Sequence, residues 1–362
     1  MEHRPKDDQQ SLRAIDPGAL VQTGAVTPQA SYFGIPALVR GQRRVQERQT
    51  GEDGEQHRGG DGERWGPPRR DIDRPTAILA AVAFAVALLA QVLTFGVSLT
   101  PDRYVLVLLA PALVLGRGRR FLLDFVPFVA LIVLYEESRG IAHSLHPSPY
   151  YRPQLDAEKF LFFGHVPTVA LQDWLWTGSL HWYDQFLSFM TRVHFIVPPT
   201  LAFCLWLKRR ALYYRFAATL LVLSYAGAFT FWAYPAAPPW AASFEGLLPP
   251  LANPAGTQAA TSPLPTDSGP LYHLVSDNPY AAIPSLHEGY AMLVFLTVVL
   301  LAWNTRWRWP VFGVALLYPI IQSIAVVYTA NHYVVDLLIG AVYATVAVFG
   351  MRRLWRRLGW PE

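Results

Sequence analysis

The sequence has little cysteine and little charge. Its 362 residues include one cysteine, Cys204, and only 15% of them are charged. A lone cysteine forms no intrachain disulfide and builds no cysteine-ligated metal cluster, so both are excluded, together with thiol chemistry as the main activity. With 52% hydrophobic residues and a mean hydropathy of +0.22, the composition is typical of an integral membrane protein and not of a soluble domain.

The motifs of nucleotide-dependent and metal-dependent enzymes are also missing. The sequence contains no Walker loop, no G-x-G-x-x-G and no H-E-x-x-H. His287 and Glu288 begin the last of these motifs, but Ala291 stands where the second histidine ligand is required. The net charge of +4 comes from short clusters between apolar runs and not from one basic face, so no nucleic-acid partner is predicted. We therefore predict an activity that needs no metal and no cofactor.

A series of apolar segments is present instead. A helix crosses the ~30 Å hydrocarbon core with roughly 20 residues, so the pattern predicts an all-α, polytopic transmembrane bundle of about eight spans. The predicted spans are 76–99, 104–115, 121–135, 183–207, 214–233, 284–303, 310–328 and 332–350. With this count every cluster of Lys and Arg falls on one side, which predicts cytoplasmic termini in a plasma-membrane protein. The connections 136–182 and 234–283 then lie outside, the first with a short amphipathic helix around 160–176.

The same pattern divides the chain into four regions. Residues 1–74 are rich in Gln, Gly and charged residues, which predicts a disordered cytoplasmic tail. Residues 75–120 supply the first two predicted transmembrane helices, and residues 121–350 supply the remaining six. Residues 351–362 form a basic cytoplasmic C-terminus.

The first segment with candidate chemistry is 281–290, which opens a predicted transmembrane helix. Pro284 suits the first position of that helix. The free backbone N–H groups around Ser285 and Leu286 would then point outward, where they can hold an anion such as phosphate. His287 would stand one turn further in.

The second such segment, 331–336, opens the last predicted helix. His332 and Asp336 are spaced i, i+4, which predicts that both lie on one helix face. The carboxylate would then accept a hydrogen bond from one imidazole nitrogen, which fixes the tautomer and leaves the other nitrogen as a nucleophile. With His287 as an acid for the leaving oxygen, this set suits phosphoryl transfer. Alternatively each histidine caps its helix, but ionisable groups at membrane depth are usually functional, which favours catalysis.

These segments resemble two motifs of the type 2 phosphatidic acid phosphatase (PAP2) superfamily. They are the Pro-Ser-Leu-His motif that ends at His287 and the His-Tyr-Val-Val-Asp motif that begins at His332. The resemblance implies a six-helix PAP2-like catalytic core within 121–350. It also implies that Ser285 helps to bind phosphate, His287 protonates the leaving group, His332 forms a phosphohistidine and Asp336 orients it.

Within this superfamily the chain is most similar to the inositolphosphotransferase branch, which includes inositolphosphorylceramide synthases. The phosphatase form of the last motif has an arginine six residues before its histidine, where this chain has Val326. The Lys-x6-Arg-Pro motif of lipid phosphatases is absent as well, and the branch is similar in lacking both. Segments 234–240 and 278–282 also resemble the branch.

Four further residues are candidates for substrate binding. Arg139 resembles an arginine that recurs in the branch and is the first candidate to replace the missing phosphate-binding cations, although it can instead pair with Glu136 or its neighbour. Arg192 lies near membrane depth, where it either binds substrate or snorkels along its helix. His194 resembles a branch feature without a known role. Tyr234 begins an aromatic and proline wall over the site, or a rigid interfacial anchor.

Together these features predict a membrane phosphoryl-transfer enzyme. It would move a phosphoinositol-type headgroup or a phosphate from a lipid-linked substrate to a lipid or glycan hydroxyl at the extracytoplasmic face. The alternative is a PAP2-type lipid phosphatase that hydrolyses phosphatidate or polyprenyl (di)phosphate with water as acceptor. A non-enzymatic membrane protein, such as a bis-histidine haem carrier or a transporter, is a third interpretation.

Overall fold

The computed structural model describes residues 72–95, 101–145, 149–252 and 280–359. The predicted tail lies outside these residues except for its last three. The described residues form helices joined by turns and isolated β-bridges, so the predicted all-α fold is confirmed. In chain order the helices are α1 (Arg74–Phe95), α2 (Pro101–Val114), α3 (Gly118–Leu145), α4 (Arg152–Leu161), α5 (Pro167–Leu175), α6 (Trp182–Val193), α7 (Val197–Lys208), α8 (Arg210–Ala233), α9 (Pro239–Phe244), α10 (Leu286–Ala302), α11 (Arg308–Tyr328) and α12 (Val334–Arg357).

The structure does not confirm the predicted count of eight spans. Among the described residues, four helices are long and apolar enough to cross a membrane: α1, α8, α11 and α12. The pair α6 and α7 makes a fifth candidate if the two are one span, although they are bent by 51°. Pro198 and Pro199 follow the break at once, and proline has no N–H with which to continue the helix before it.

Three other predicted spans form helices whose lengths differ from the prediction or are too short for a span. Helices α2 and α10 are apolar but short, α10 having 17 residues. Helix α3 has 28 residues and extends well beyond the predicted 121–135. It carries charged residues along its length, among them Asp124 and Arg139, which separates it from a purely apolar span.

Packing of α3 against α7 and α8 depends on aromatic rings and one buried carboxylate. Phe125 stacks on Tyr213 with ring centroids 4.6 Å apart, and both rings are fully buried. Asp124 is buried beside them, where its Oδ2 accepts hydrogen bonds at 2.7 Å from both Trp206 Nε1 and Arg210 Nε. This network ties α3 to the junction between α7 and α8.

The connections that contain α4, α5 and α9 cover one end of the bundle. The predicted single helix around 160–176 is instead two helices, α4 and α5, because Phe163 and Gly164 adopt positive φ and Pro167 starts a new helix. The backbone of Tyr150 pairs with the segment after α8, whose Ala236 pairs in turn with the segment before α10. These backbone contacts join three separate connections next to the start of α10.

Helix α10 packs extensively on both α11 and α12, and α8 packs on both α10 and α12. At Gly340 the two helices α10 and α12 come very close, because a Cβ atom there would collide with the carbonyl oxygen of Ser285. Only glycine permits this distance between the two backbones.

We expect Gly340→Ala to destabilise the protein, because the added methyl group must push α12 away from α10. Overpacking of this kind costs about 1–3 kcal/mol, so the thermal unfolding temperature in detergent should fall clearly. Gly350→Ala is the matched control, since a Cβ at Gly350 in the same helix meets no atom within 4 Å. Equal unfolding temperatures for the two variants would contradict the role of the close approach.

Candidate active site

The two motif segments meet where α10 and α12 begin. Ser285 is the N-cap of α10, and its Oγ lies 3.4 Å from the backbone nitrogen of Glu288. The backbone N–H of Ser285 donates to the carbonyl oxygen of Asp336 at 3.0 Å. The first turns of the two helices are therefore bound to each other through their backbones.

This arrangement corrects three expectations about local geometry. Pro284 precedes the N-cap and is not the first helical residue, and the N–H of Ser285 is already bonded to Asp336 and is not free for an anion. His332 lies before the N-cap of α12, Tyr333, so His332 and Asp336 do not share a helix face. The two side chains are close because the Asp336 side chain points toward the residues that precede the helix. Its Oδ2 accepts the N–H of Tyr333 at 2.9 Å and lies 3.5 Å from His332 Nδ1.

His332 is held by a backbone carbonyl and by a second histidine. It is 4% exposed, and its Nδ1 lies 3.0 Å from the carbonyl oxygen of Ala282. A carbonyl only accepts, so Nδ1 carries the proton and Nε2 holds the lone pair. Nδ1 of His287 lies 2.9 Å from this Nε2, and it must be the donor. The lone pair of His332 therefore faces the N–H of His287.

His194 joins the same cluster. It is the C-cap of α6, and its ring lies edge-to-face against His287 with centroids 4.2 Å apart. Its Nδ1 is 2.7 Å from the carbonyl oxygen of Thr191, so this nitrogen carries the proton. The structure thus brings together three histidines that the sequence placed in different predicted helices.

The two arginine candidates differ in position. Arg139 forms an ion pair with Glu136, with Nε 2.9 Å from Oε2, as the alternative interpretation of the sequence anticipated. Its charge nevertheless acts electrostatically on His287 and His194, so it lies near the cluster. Arg192 is half-buried at the end of α6, and within the described part of the chain its side chain has no hydrogen bond or ion pair that links it to the histidines.

Tyr234 lies in the segment that covers the site. Its ring stacks on Tyr150 with centroids 4.7 Å apart. Ala236 and Ala237, which follow it, are fully buried, and Ala282 donates its N–H to Ala236 at 3.2 Å. The segment that starts at Tyr234 is therefore hydrogen-bonded to the segment before α10, which includes Ala282, the residue whose carbonyl oxygen contacts His332.

Glu158 is a residue of the site that the sequence did not reveal. It lies in α4, is fully buried, and accepts the N–H of Val334 at 3.0 Å and that of Val335 at 3.1 Å through its two oxygens. These N–H groups belong to the first turn of α12, where a negative charge is favourable. Burial raises the pKa of the Glu158 carboxyl, although both hydrogen bonds favour its ionised form. Nothing in the local sequence connects position 158 with position 334.

Comparison with known proteins supports this reading of the motifs. The family model described as PAP2 superfamily matches residues 155–350, which is more than half of the chain. The chain belongs to the PAP2 superfamily. The match begins within α4 and includes the whole histidine cluster, but it does not include α3, most of which lies in the predicted 121–350 region.

One relative narrows the position within this superfamily. Over 150 residues the chain is 33% identical to a phosphoinositol dihydroceramide synthase from Bacteroides thetaiotaomicron, an alignment that covers 40% of this chain and 47% of that protein. The chain thus spans about half the length of this curated relative. No solved structure matches the chain. The predicted resemblance to the inositolphosphotransferase branch is confirmed.

We expect Glu158→Gln to impair catalysis, because the start of α12 loses a charged acceptor and His332 loses its fixed position. A hydrogen bond to a charged group contributes about 1.5–3 kcal/mol, so turnover of a phospholipid substrate should fall about tenfold. The fall should appear mainly in kcat, since Glu158 is a positioning residue without an assigned substrate contact.

Asp156→Asn in the same helix is the control, since Asp156 is exposed. Unchanged kcat in Glu158→Gln, with Glu158→Ala equally active, would show that the contact between α4 and α12 has no effect on the site.

Proposed function

We propose that this protein is a membrane phosphotransferase that moves a phosphoinositol-type headgroup, or a phosphate, from a lipid to a hydroxyl acceptor. The observation that carries the proposal is the pair of His332 and His287, in which a lone pair on Nε2 faces an N–H at 2.9 Å. A nucleophile and a proton donor are thus already adjacent, inside a protein whose long helices are apolar enough to cross a membrane.

The first step forms a covalent intermediate. The phosphorus atom enters between the two imidazoles and displaces the hydrogen bond from His287 to His332 Nε2. This Nε2 then attacks the phosphorus atom, a P–N bond forms and the P–O bond to the lipid alcohol breaks. His287, protonated, gives up its proton to the departing oxygen, which leaves as the neutral lipid alcohol. The positive charge that develops on the His332 ring is stabilised through its Nδ1–H by the Ala282 carbonyl and by the Asp336 carboxylate at 3.5 Å.

The second step reverses these roles. His287, now neutral, takes the proton of the acceptor hydroxyl, whose oxygen attacks phosphorus while the P–N bond breaks. Arg139 is proposed to bind phosphoryl oxygens together with Ser285, because its charge acts on His287 and His194. His194 is proposed to hold the His287 ring in place from the side opposite the nucleophile. Arg192 and Tyr234 remain candidates for contacts with the headgroup.

Two observations favour transfer over simple hydrolysis. Val326, at the position where the phosphatase motif has an arginine, is fully buried and carries no charge to bind a phosphomonoester. The relative is named for the synthesis of a phosphoinositol lipid. The site is proposed to face outward, because the basic residues of α12 lie in its last turn, at the other end of the helix from His332.

The proposal is tested by measuring headgroup release from phosphatidylinositol by the purified protein, with and without a ceramide or diacylglycerol acceptor. We expect release that depends on the acceptor and falls at least about a thousandfold in His332→Ala. His165→Ala is the control, since His165 is exposed in the turn after α4. Full activity in His332→Ala would refute the mechanism. Phosphate release from phosphatidate without an acceptor would replace the transferase with the lipid phosphatase.

A second prediction separates the role of His287 from that of His332. An acid is needed only when the leaving oxygen is a poor leaving group, and general acid catalysis contributes about 10²–10⁴-fold. We therefore expect His287→Asn to lose at least about a hundredfold in rate with a phospholipid donor, and far less with a p-nitrophenyl phosphodiester. Equal losses with both donors would assign His287 to substrate binding instead.

A further inference from the structure

A small pocket lies among α5, α10, α11 and α12, with a volume of about 250 Å³. Most of its walls are apolar. On the outer surface of the helices its rim includes Ile324 and Leu338, which are 42% and 54% exposed, so the pocket opens toward the surroundings of the bundle, where lipid chains lie. Its lining residues are Pro167, Leu171, Glu288, Ser323, Ile324, Val327, Val334, Leu337, Leu338 and Ala341.

The pocket contains one buried carboxyl group, and one of its two oxygens can still accept a hydrogen bond. Glu288 is 5% exposed, and its Oε2 accepts the hydroxyl of Ser323 at 2.8 Å. Its Oε1 accepts no hydrogen bond from any residue in the described ranges. A carboxylate has room for about four hydrogen bonds, and a buried ionisable group within a membrane bundle is costly unless it is used. A ligand that donates a hydrogen bond would satisfy Oε1.

We propose that this pocket binds a neutral lipid alcohol, with the lipid hydroxyl donating to Glu288 Oε1 and the adjoining chain lying along Ile324 and Leu338. A phospholipid is disfavoured, because the lining residues include no cation to hold its phosphate in this largely apolar pocket. Pockets that enclose a whole drug-sized ligand measure about 300–1,000 Å³. This smaller pocket therefore takes the hydroxyl end of one chain while the rest of the lipid stays in the bilayer.

The pocket is adjacent in sequence to both catalytic candidates. Glu288 directly follows His287 in α10, and Val334 follows His332 by two positions at the start of α12. A lipid alcohol is also the chemical class that accepts the phosphoryl group in the proposed transferase. The assignment of the bound lipid as the acceptor rests on that proposed function, whereas the binding itself does not.

Binding is tested by photolabelling the full-length protein in neutral-lipid nanodiscs with a long-chain alcohol that carries a diazirine in its chain. The methyl ether of the same probe keeps the chain but cannot donate a hydrogen bond. We expect the alcohol to label peptides of α11 and α12 that line the pocket, and the ether to label them about tenfold less, since the ether leaves the buried Glu288 oxygen without a donor and a tenfold change corresponds to about 1.4 kcal/mol.

Two variants act on different parts of the site. Glu288→Leu removes the acceptor, and Leu338→Trp fills the opening while leaving Glu288 in place; both should reduce labelling by about tenfold. Val342→Trp is the control, because Val342 is an exposed residue one turn further along α12 that does not line the pocket. Size-exclusion profiles establish that each variant is folded, and Leu338→Trp decides the question if Glu288→Leu does not fold.

Equal labelling by the alcohol and the ether, or labelling that Leu338→Trp leaves unchanged, would overturn the proposal. The same measurement in His332→Ala, which cannot turn over, makes the result independent of the proposed function. If labelling follows the expectation while acceptor-dependent transfer is unaffected by Leu338→Trp, the pocket binds a lipid alcohol other than the acceptor, and the acceptor assignment is overturned.

Discussion

Because α10 and α12 come very close at Gly340, the backbone N–H groups at the start of both helices need hydrogen-bond acceptors within the protein. Two helices that begin side by side in an apolar bundle present several N–H groups that water does not reach, and each unsatisfied group is costly. The chain satisfies them with its own acceptors: the Asp336 carbonyl takes the N–H of Ser285, the Asp336 carboxylate takes that of Tyr333, and Glu158 takes the next two. Because His332 lies between these bonded residues, the contacts that satisfy the helix ends also fix the position of His332, the proposed nucleophile.

The protonation pattern of the histidines follows from the backbone more than from the carboxylate. Asp336 Oδ2 is 3.5 Å from His332 Nδ1, whereas the Ala282 carbonyl is 3.0 Å away and accepts only. Thr191 acts on His194 in the same manner. Two backbone carbonyls therefore set two imidazoles in the tautomer with a lone pair on Nε2. In the proposed mechanism the Asp336 carboxylate then responds to the positive charge that develops on the His332 ring. A buried acceptor that is already hydrogen-bonded needs no rearrangement when the reaction begins, which is the condition for electrostatic stabilisation of a transition state.

Sequence reasoning identified the helical class, the two motifs and the family, because apolar length and motif spacing are local properties of the chain. It failed where the outcome depends on contacts between distant residues. The spacing of His332 and Asp336 suggested a shared helix face, but the helix begins after His332, since Asp336 caps its first turn. Glu158 could not be found because its partners lie 176 and 177 positions away. The break between α6 and α7 was readable in principle from Pro198 and Pro199, whereas the contact of His194 with His287 required the folded bundle.

The side of α10 that faces the histidine cluster and the side that faces the Glu288 pocket differ chemically. Arg139, which is paired with Glu136, lies on the side of the histidine cluster, whereas the residues that line the pocket of Glu288 include no cation. His287 and Glu288 are consecutive residues of α10 and lie about 100° apart around its axis, so the helix presents the imidazole to the histidine cluster and the carboxyl group to the pocket. An enzyme that transfers a headgroup between two lipids must distinguish an anionic donor from a neutral acceptor although both have alkyl chains. Chain contacts contribute similar binding energy for either lipid, so in the proposed transferase the distinction has to come from the polar ends, and the different polar groups on the two sides of α10 would provide it.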